Sequence, residues 1–465
     1  DNLGINTIWI TPIVENVYHN VAYNDPNVAI PYYGYHGYWA LDFEKLNPHL
    51  GTLEDFHELI DAASDRGIKI MVDVVLNHTG YGLKLENGNE NNPPDGFPSD
   101  EDRQKYADML RQDGGGGDAV TGELAGLPDL ITEDPAFREQ IVDWQVGWLQ
   151  KATTPNGNTI DYFRVDTVKH VEDTTWMHFK NELTLAKPEF KMIGEAWGAG
   201  ANNQYTEQYL NSGMMDSLLD FDFKYIARDL VNGQIDSVNR RIKDRNDSIN
   251  NSATLGQFLG SHDEDGFLHL INDQDTSKLK VAAALQITSK GQPVIYYGEE
   301  LGLSGKDNWP HYDNRYNFPW DQVEGNDVHE HYQKLLNIRG DYSQVFSKGS
   351  YELVKGNNAS GHMIFKRSYE GQSVLVGINT KKDAAEVTFT VPFKTGETVE
   401  DVYNNTTTTV AADKTVTLTL PGREEGGTFI LATSEKDDES EIRFRRLKKI
   451  RYVSITKETI IASKI

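Results

Sequence analysis

The sequence predicts an α/β architecture: a (β/α)8 TIM barrel, interrupted by a small inserted domain and followed by an all-β sandwich. Three observations carry this. Short apolar strands alternate with helical stretches from residue 5 to about residue 298, and several of them run into charged residues. Asp73 closes the strand at 68–72, Asp166 follows 162–165, Glu195 closes 192–194, and His262-Asp263 follow 257–260. Carboxylates at the C-terminal ends of successive strands, with helices between, are the arrangement of a β/α-barrel active site. Second, apolar periodicity lapses from Thr79 to about Thr132, where four consecutive glycines at 114–117 mark irregular structure. A lapse this long inside a compact fold is a functional loop or a small excursion domain. Third, from about Gly349 the texture changes to alternating strands with Gly/Asn turns, the pattern of a β-sandwich.

The elements follow in order. Residues 5–11 form a strand ended by Pro12, and a polar, Tyr-rich loop runs on to Trp39. Thr52-Leu-Glu-Asp55 is a capping box for a helix reaching Arg66, with Gly67 as its stop. The strand at 68–76 ends in Asn77-His78. Beyond the lapse, Asp134 and Pro135 suit the N-cap and first helical position, and Phe137, Ile141, Trp144 and Trp148 share one apolar face. Strands continue at 160–166, 192–195, 217–223, 254–263 and 293–298, with a helix at 278–287 before the last. The count is seven strand–helix units, not eight: the first β/α unit of a full barrel is not found. Sandwich strands are expected at 351–354, 362–366, 373–378, 386–391, 415–420 and 428–432. The resulting division is barrel 1–78, insert 79–133, barrel 134–345, sandwich 346–433 and a charged tail 434–465. The tail joins an acidic run to a basic, apolar-interleaved one and reads as a solvated tail or a membrane-surface segment, with no function assigned.

Composition narrows the partners. A formal net charge of −26 over 465 residues and a pI near 4.9 argue against nucleic acid or an anionic membrane as the main partner. Zero cysteines exclude disulfides and thiolate metal sites. No run approaches the roughly 18 apolar residues of a membrane span. Asp1 does not begin a signal peptide, and natural sequence is expected to precede it; a monomeric, extracellular protein is the expectation.

The central stretch is Asp161-Tyr-Phe-Arg-Val-Asp-Thr-Val-Lys-His170. On a strand, residues two apart share a face, so Arg164 and Asp166 point the same way. A permanent cation beside Asp166 should hold it ionised, as a nucleophile requires. Any one such carboxylate alone reads as an N-cap or a surface charge; four in series on one architecture point to a site.

These motifs resemble the α-amylase family, glycoside hydrolase family 13, and within it the α-amylases. Asp73-Val-Val-Leu-Asn-His78 resembles the family's first signature region and Phe163-Arg-Val-Asp-Thr-Val-Lys-His170 its second. Glu195 in Gly-Glu-Ala-Trp197 resembles the third, Phe258-Leu-Gly-Ser-His-Asp263 the fourth, and Gly126-Leu-Pro-Asp-Leu130 the fifth. The fifth lies near the end of the domain that family members insert after the third strand.

The resemblance implies endo-acting hydrolysis of α-1,4-glucosidic bonds in starch and maltooligosaccharides, by a retaining mechanism that uses two carboxyl groups about 5 Å apart. It makes Asp166 the nucleophile, Glu195 the general acid and base, and Asp263 the group that stabilises the transition state. Tyr38 would stack on the scissile sugar, with His78 and His262 as hydroxyl donors and Asp73 orienting Arg164. Lys169 and His170 resemble residues of α-amylases and cyclodextrin-forming transferases. Asp313 and Arg315 stand where relatives bind the next sugar outward, at a shorter spacing. A Ca²⁺ site is implied at Asn77, Asp129 and the His170 carbonyl, with Asp118 or Asp113 as a further ligand. The alternatives are an α-1,6- or oligosaccharide-specific enzyme of the same family, and a non-catalytic glucan-binding relative.

Overall fold

The computed structural model describes residues 2–22, 25–85, 97–249 and 251–433; the charged tail at 434–465 lies outside the described residues. β1 (Thr7–Ile10) leads into an antiparallel pair, β2 (Val14–Asn16) with β3 (Ala40–Leu46). β4 (Lys69–Val74), β5 (Tyr162–Val165), β6 (Lys191–Gly194), β7 (Ser217–Asp220), β8 (Gly256–Phe258) and β9 (Gln292–Val294) complete a curled parallel sheet with β1. Its order is β1-β4-β5-β6-β7-β8-β9. Seven strands are present, as counted from the sequence, and among the described residues β1 and β9 are the two edges. Burial follows that topology: β1 is half-buried along its whole length, whereas β7 in the middle is buried throughout.

Local signals explain most elements. Thr52 caps the helix Leu53–Asp65 through a reciprocal capping box with Asp55, and Gly67 follows with φ +69°. That conformation is one a Cβ disfavours. Asp134 caps the helix Pro135–Lys151, which buries Ile141, Trp144 and Trp148 against the barrel. The strand expected at 217–223 stops at Asp220, because Phe223 opens the helix Phe223–Val231. The strand expected at 254–263 shrinks to three residues, and its remainder becomes a turn that carries His262 and Asp263. Inside the insert, Ser99 caps a helix, Asp100–Tyr106, that the sequence reading did not foresee. It buries only Tyr106 and so leaves no apolar period to read.

The C-terminal module contains β10 (Ser350–Asn357), β11 (His362–Tyr369), β12 (Gln372–Asn379), β13 (Ala385–Thr390), β14 (Thr398–Asp401), β15 (Thr406–Thr409), β16 (Thr415–Leu420) and β17 (Thr428–Ala432). A six-stranded antiparallel sheet, β10-β11-β12-β17-β14-β15, packs on the β13–β16 pair around Ile364, Leu375, Phe389 and Leu431. β14 and β15 escaped the sequence reading. β15 is four threonines, mostly exposed, with no apolar alternation. The helix Thr276–Thr288 is buried on nearly every side, in one core with Phe223–Val231, Asp327–Asp341 and the C-terminal sheet. Arg367 on β11 crosses that interface and donates to the carbonyls of Thr288, Phe346 and Gly349. Among the described residues, no helix is long and apolar enough to cross a membrane.

Candidate active site

The C-terminal ends of β4, β5 and β6 and the turn after β8 bring five charged residues together: Asp73, Arg164, Asp166, Glu195 and Asp263. Their hub is Arg164, only 1% exposed. Its Nη1 donates to Asp166 Oδ1 at 2.6 Å and to both Asp73 oxygens at 3.1 Å, and its Nη2 lies 3.9 Å from Glu195 Oε2. Strand register sets this up, since Asp73 faces Arg164 across β4 and β5, and Val165 faces Gly194 across β5 and β6. The guanidinium also lies over the Trp9 ring, 5.2 Å from its centroid. A buried cation is tolerable only when such partners compensate its lost hydration.

Tyr38 joins the groups further. Its hydroxyl donates to Asp73 Oδ2 at 2.6 Å and lies 2.8 Å from His262 Nε2, while its ring stacks on His262 at 5.5 Å and 9°. His36 Nδ1 accepts the Tyr38 N–H. Between them, Gly37 has φ +89°, and a Cβ there would meet the Pro12 carbonyl at 2.5 Å, so this turn requires glycine.

Glu195 and Asp263 sit in contrasting fields. Burial, reinforced by the charge of Asp166, pushes the Glu195 carboxyl up to about 8, against the pull of Arg164 and a 2.8 Å hydrogen bond from the Thr167 N–H. Thr167 holds that N–H in place from a left-handed conformation, φ 49°, ψ 42°. Such local strain is concentrated at functional sites. Burial also pushes Asp263 up, but His262, at 2.9 Å, together with Arg164 and Arg315, outweighs it and holds the carboxyl below its ordinary range. Two carboxyl groups held at opposite ends of the titration scale can do different work, one as a proton donor and one as a fixed negative charge.

These groups open into a cavity of about 820 Å³, within the range of small-molecule sites. Tyr38, His78, Asp166, Glu195, Asp263 and Arg315 line it, as the sequence reading expects of a site. Five residues of that reading lie outside the lining, among them His262, which sits behind it against Tyr38 and Asp263. Asp73 and Arg164 lie beneath the carboxylates, each 1% exposed, so they support the site without facing a substrate. Lys169 lies over the Tyr205 ring at 4.6 Å, outside the cavity lining. Asp313 is exposed and pairs with Asn308, because the shorter spacing to Arg315 turns it away. Residues the sequence reading missed include Trp9, whose Nε1–H donates to Asp73, and the wall formed by Tyr32, Trp309 and Tyr312. Trp9 lies on β1 opposite Met71, and only the side-chain bond to Asp73 reveals its role.

Two residues expected to hold a cation, Asn77 and Asp129, lie on paired segments. His78 pairs with Asp129 across an antiparallel bridge, and the Leu130 N–H donates to the Asn77 carbonyl. Asn77 Oδ1 and Asp129 Oδ1 are buried without a hydrogen-bond partner among the described residues. The other Asp129 oxygen accepts from Arg111 Nε at 2.7 Å. Orphaned hard oxygens on two paired segments fit an oxygen-coordinated cation. Among the described residues no three His, Cys, Asp or Glu side chains are arranged to hold a metal ion, so main-chain carbonyls would have to complete the shell. Asp118 and Asp113 accept from N–H groups of their own turns.

Comparison with known proteins agrees with this geometry. Residues 1–343 match the family profile "Alpha amylase, catalytic domain", and residues 351–424 match "Maltogenic Amylase, C-terminal domain". A cyclomaltodextrinase of Thermoanaerobacter pseudethanolicus is 27% identical over 81% of this chain and 61% of its own length. Alpha-amylase 2 of Schwanniomyces occidentalis is 27% identical over 90% of this chain and 79% of its own. The chain thus spans about three fifths of the length of the cyclomaltodextrinase. An Anoxybacillus α-amylase structure superposes with a TM-score of 0.75 at 27% identity, covering 93% of this chain and 88% of that one. With the catalytic-domain profile spanning residues 1–343 and the carboxylates gathered at the strand ends, this chain belongs to the α-amylase family of glycoside hydrolases.

Proposed function

We propose that the protein hydrolyses α-1,4-glucosidic bonds with retention of configuration, and acts on maltooligosaccharides and cyclomaltodextrins in preference to long starch. The observation that carries the mechanism is Arg164, one guanidinium in contact with both Asp166 and Glu195. That compactness supports the narrow carboxyl spacing of retaining enzymes over the wider spacing that admits a water between the groups. The Asp166 carboxylate attacks the anomeric carbon as the glycosidic C–O bond breaks, and Glu195 gives its proton to the departing oxygen. Glu195, now ionised, takes a proton from water, which attacks the same carbon and frees Asp166. Asp263 and His78 hold the sugar ring, and Tyr38 offers its aromatic face. The cyclomaltodextrinase and the maltogenic C-terminal profile support the oligosaccharide preference. The similarity to alpha-amylase 2 over most of its length supports the second reading, endo-action on starch.

Initial rates on maltoheptaose, a cyclomaltodextrin, soluble starch and pullulan, with product anomers followed by NMR, test both parts. α-Anomers released fastest from the short and cyclic substrates are expected, and Asp166→Asn should abolish release while binding persists. Faster action on starch would favour the endo reading, pullulan cleavage at α-1,6 bonds an α-1,6-acting enzyme of the same family, and β-anomers would overturn retention. We also propose that Asn77, Asp129 and the His170 carbonyl hold a Ca²⁺ ion, which would tie the insert to the barrel.

A further inference from the structure

The turn that carries Asp263 is gripped from outside the matched motifs. Asn314, in the loop after β9, is completely buried. Its Nδ2 donates to the Ser261 carbonyl at 3.2 Å and to the Glu264 carbonyl at 3.0 Å, the two residues that bracket His262 and Asp263. The next residue, Arg315, donates from Nε to the His262 carbonyl at 2.9 Å, and the Gly266 N–H donates to the Gly305 carbonyl at 2.8 Å. Asn314 is itself held: its carbonyl accepts the Tyr296 hydroxyl at 2.9 Å and its N–H donates to the Lys306 carbonyl at 3.2 Å. Its Oδ1 has no partner among the described residues. A buried amide with an idle acceptor and a doubly used NH₂ is placed for its donors.

Other side chains reach the turn from its flanks, Tyr38 onto His262 and Lys224 onto Glu264. Within it, the Asp263 N–H to Ser261 Oγ bond and the Ser261–Glu264 bridge define the backbone among the described residues. The Asp263 carboxylate touches His262 at 2.9 Å and Arg315 at 3.5 Å, and since His262 rides on the same turn, the direction of both follows the backbone beneath them.

We propose that Asn314 is a positioning residue for the hydrolysis: it clamps the Ser261 and Glu264 carbonyls and so aims Asp263 and His262 at the sugar in the cavity. This rests on the catalytic reading of Asp263 above. The effect is on the transition state more than on ground-state binding, because His78, on the segment after β4, holds the sugar from outside this turn.

The test is a double-mutant cycle on an α-maltosyl fluoride substrate, whose leaving group needs no proton and so keeps weak variants measurable. Asn314→Ala and the shape-conserving Asn314→Asp both remove the donors. Each should lower kcat by roughly 10- to 100-fold, the scale of an ångström-sized misplacement of a catalytic group, with KM changed by no more than about threefold. In an Asp263→Asn background the same substitutions should have almost no further effect, the coupling expected of residues acting through one another. A folded Asn314→Asp variant within twofold of wild type would overturn the proposal, as would an equal loss repeated in the Asp263→Asn background. An Asp263→Asn enzyme as fast as wild type would overturn the reading of Asp263 itself, and the proposal with it.

Discussion

A single guanidinium organises the chemistry of the cleft. Arg164 meets Asp73, Asp166 and Glu195, so the charge that faces Asp166 also partly offsets the burial of Glu195. Burial still prevails at Glu195 and leaves its carboxyl at about 8. A general acid must be protonated to act, so kcat/KM should hold up to about that pH and fall above it. Glu195→Gln should remove this alkaline limb and lower the rate on natural glucans by ~10²- to 10⁴-fold, the usual worth of acid–base catalysis. A pH–rate profile of both proteins checks this, and a limb that survives in the variant would assign it to another group.

Each secondary-structure element delivers one part of the cleft. The strand ends fix Asp73, Arg164 and Glu195, whereas turns and loops place Tyr38, His262 and Arg315. The helix Leu53–Asp65 braces β4 from behind, and its capping box is readable in isolation. Thr52→Ala should cost about 1 kcal/mol, measured by chemical denaturation, with activity unchanged below the transition. The insert is joined to the barrel by the His78–Asp129 pairing and by the orphaned oxygens of Asn77 and Asp129. If Ca²⁺ occupies that place, a chelator should lower the melting temperature and added Ca²⁺ restore it, by mass action on the folded state. Asn77→Ala should lose the response; an unchanged melting curve with excess chelator would count against the site.

At the scale of the whole molecule, barrel and C-terminal sheet share one core through the helix Thr276–Thr288. Glu299, just beyond β9, is buried and accepts from the Tyr332 hydroxyl at 2.9 Å. Burial, aided by Glu300, pushes its carboxyl up to about 8. An acid with a raised folded pKa binds more protons folded than unfolded, so its contribution is full below the unfolded value and is lost as pH rises through the folded one. Stability should therefore decline between about pH 4.3, the ordinary glutamate value, and pH 8. Glu299→Gln, which cannot ionise, should flatten that decline, so its melting temperature relative to wild type rises from pH 5 to pH 8. Parallel slopes in the two proteins would show that other groups carry the pH dependence.

The sequence by itself determined the alternation of strands and helices, the count of seven barrel strands, the lapse that becomes the insert, and the carboxylates at strand ends. Period-two and helical patterns, caps and charged strand ends are local, and local chemistry is written in adjacent residues. That Arg164 and Asp73 lie under the cleft and that Asp313 stands outside it followed from long-range packing alone. The same packing decided that Trp9 bonds Asp73, that Trp309 and Tyr312 form a wall, and that Asn314 grips the Asp263 turn. Those contacts join residues far apart in the chain, and the hydrogen bonds and burial that make them exist only once the strands lie in register.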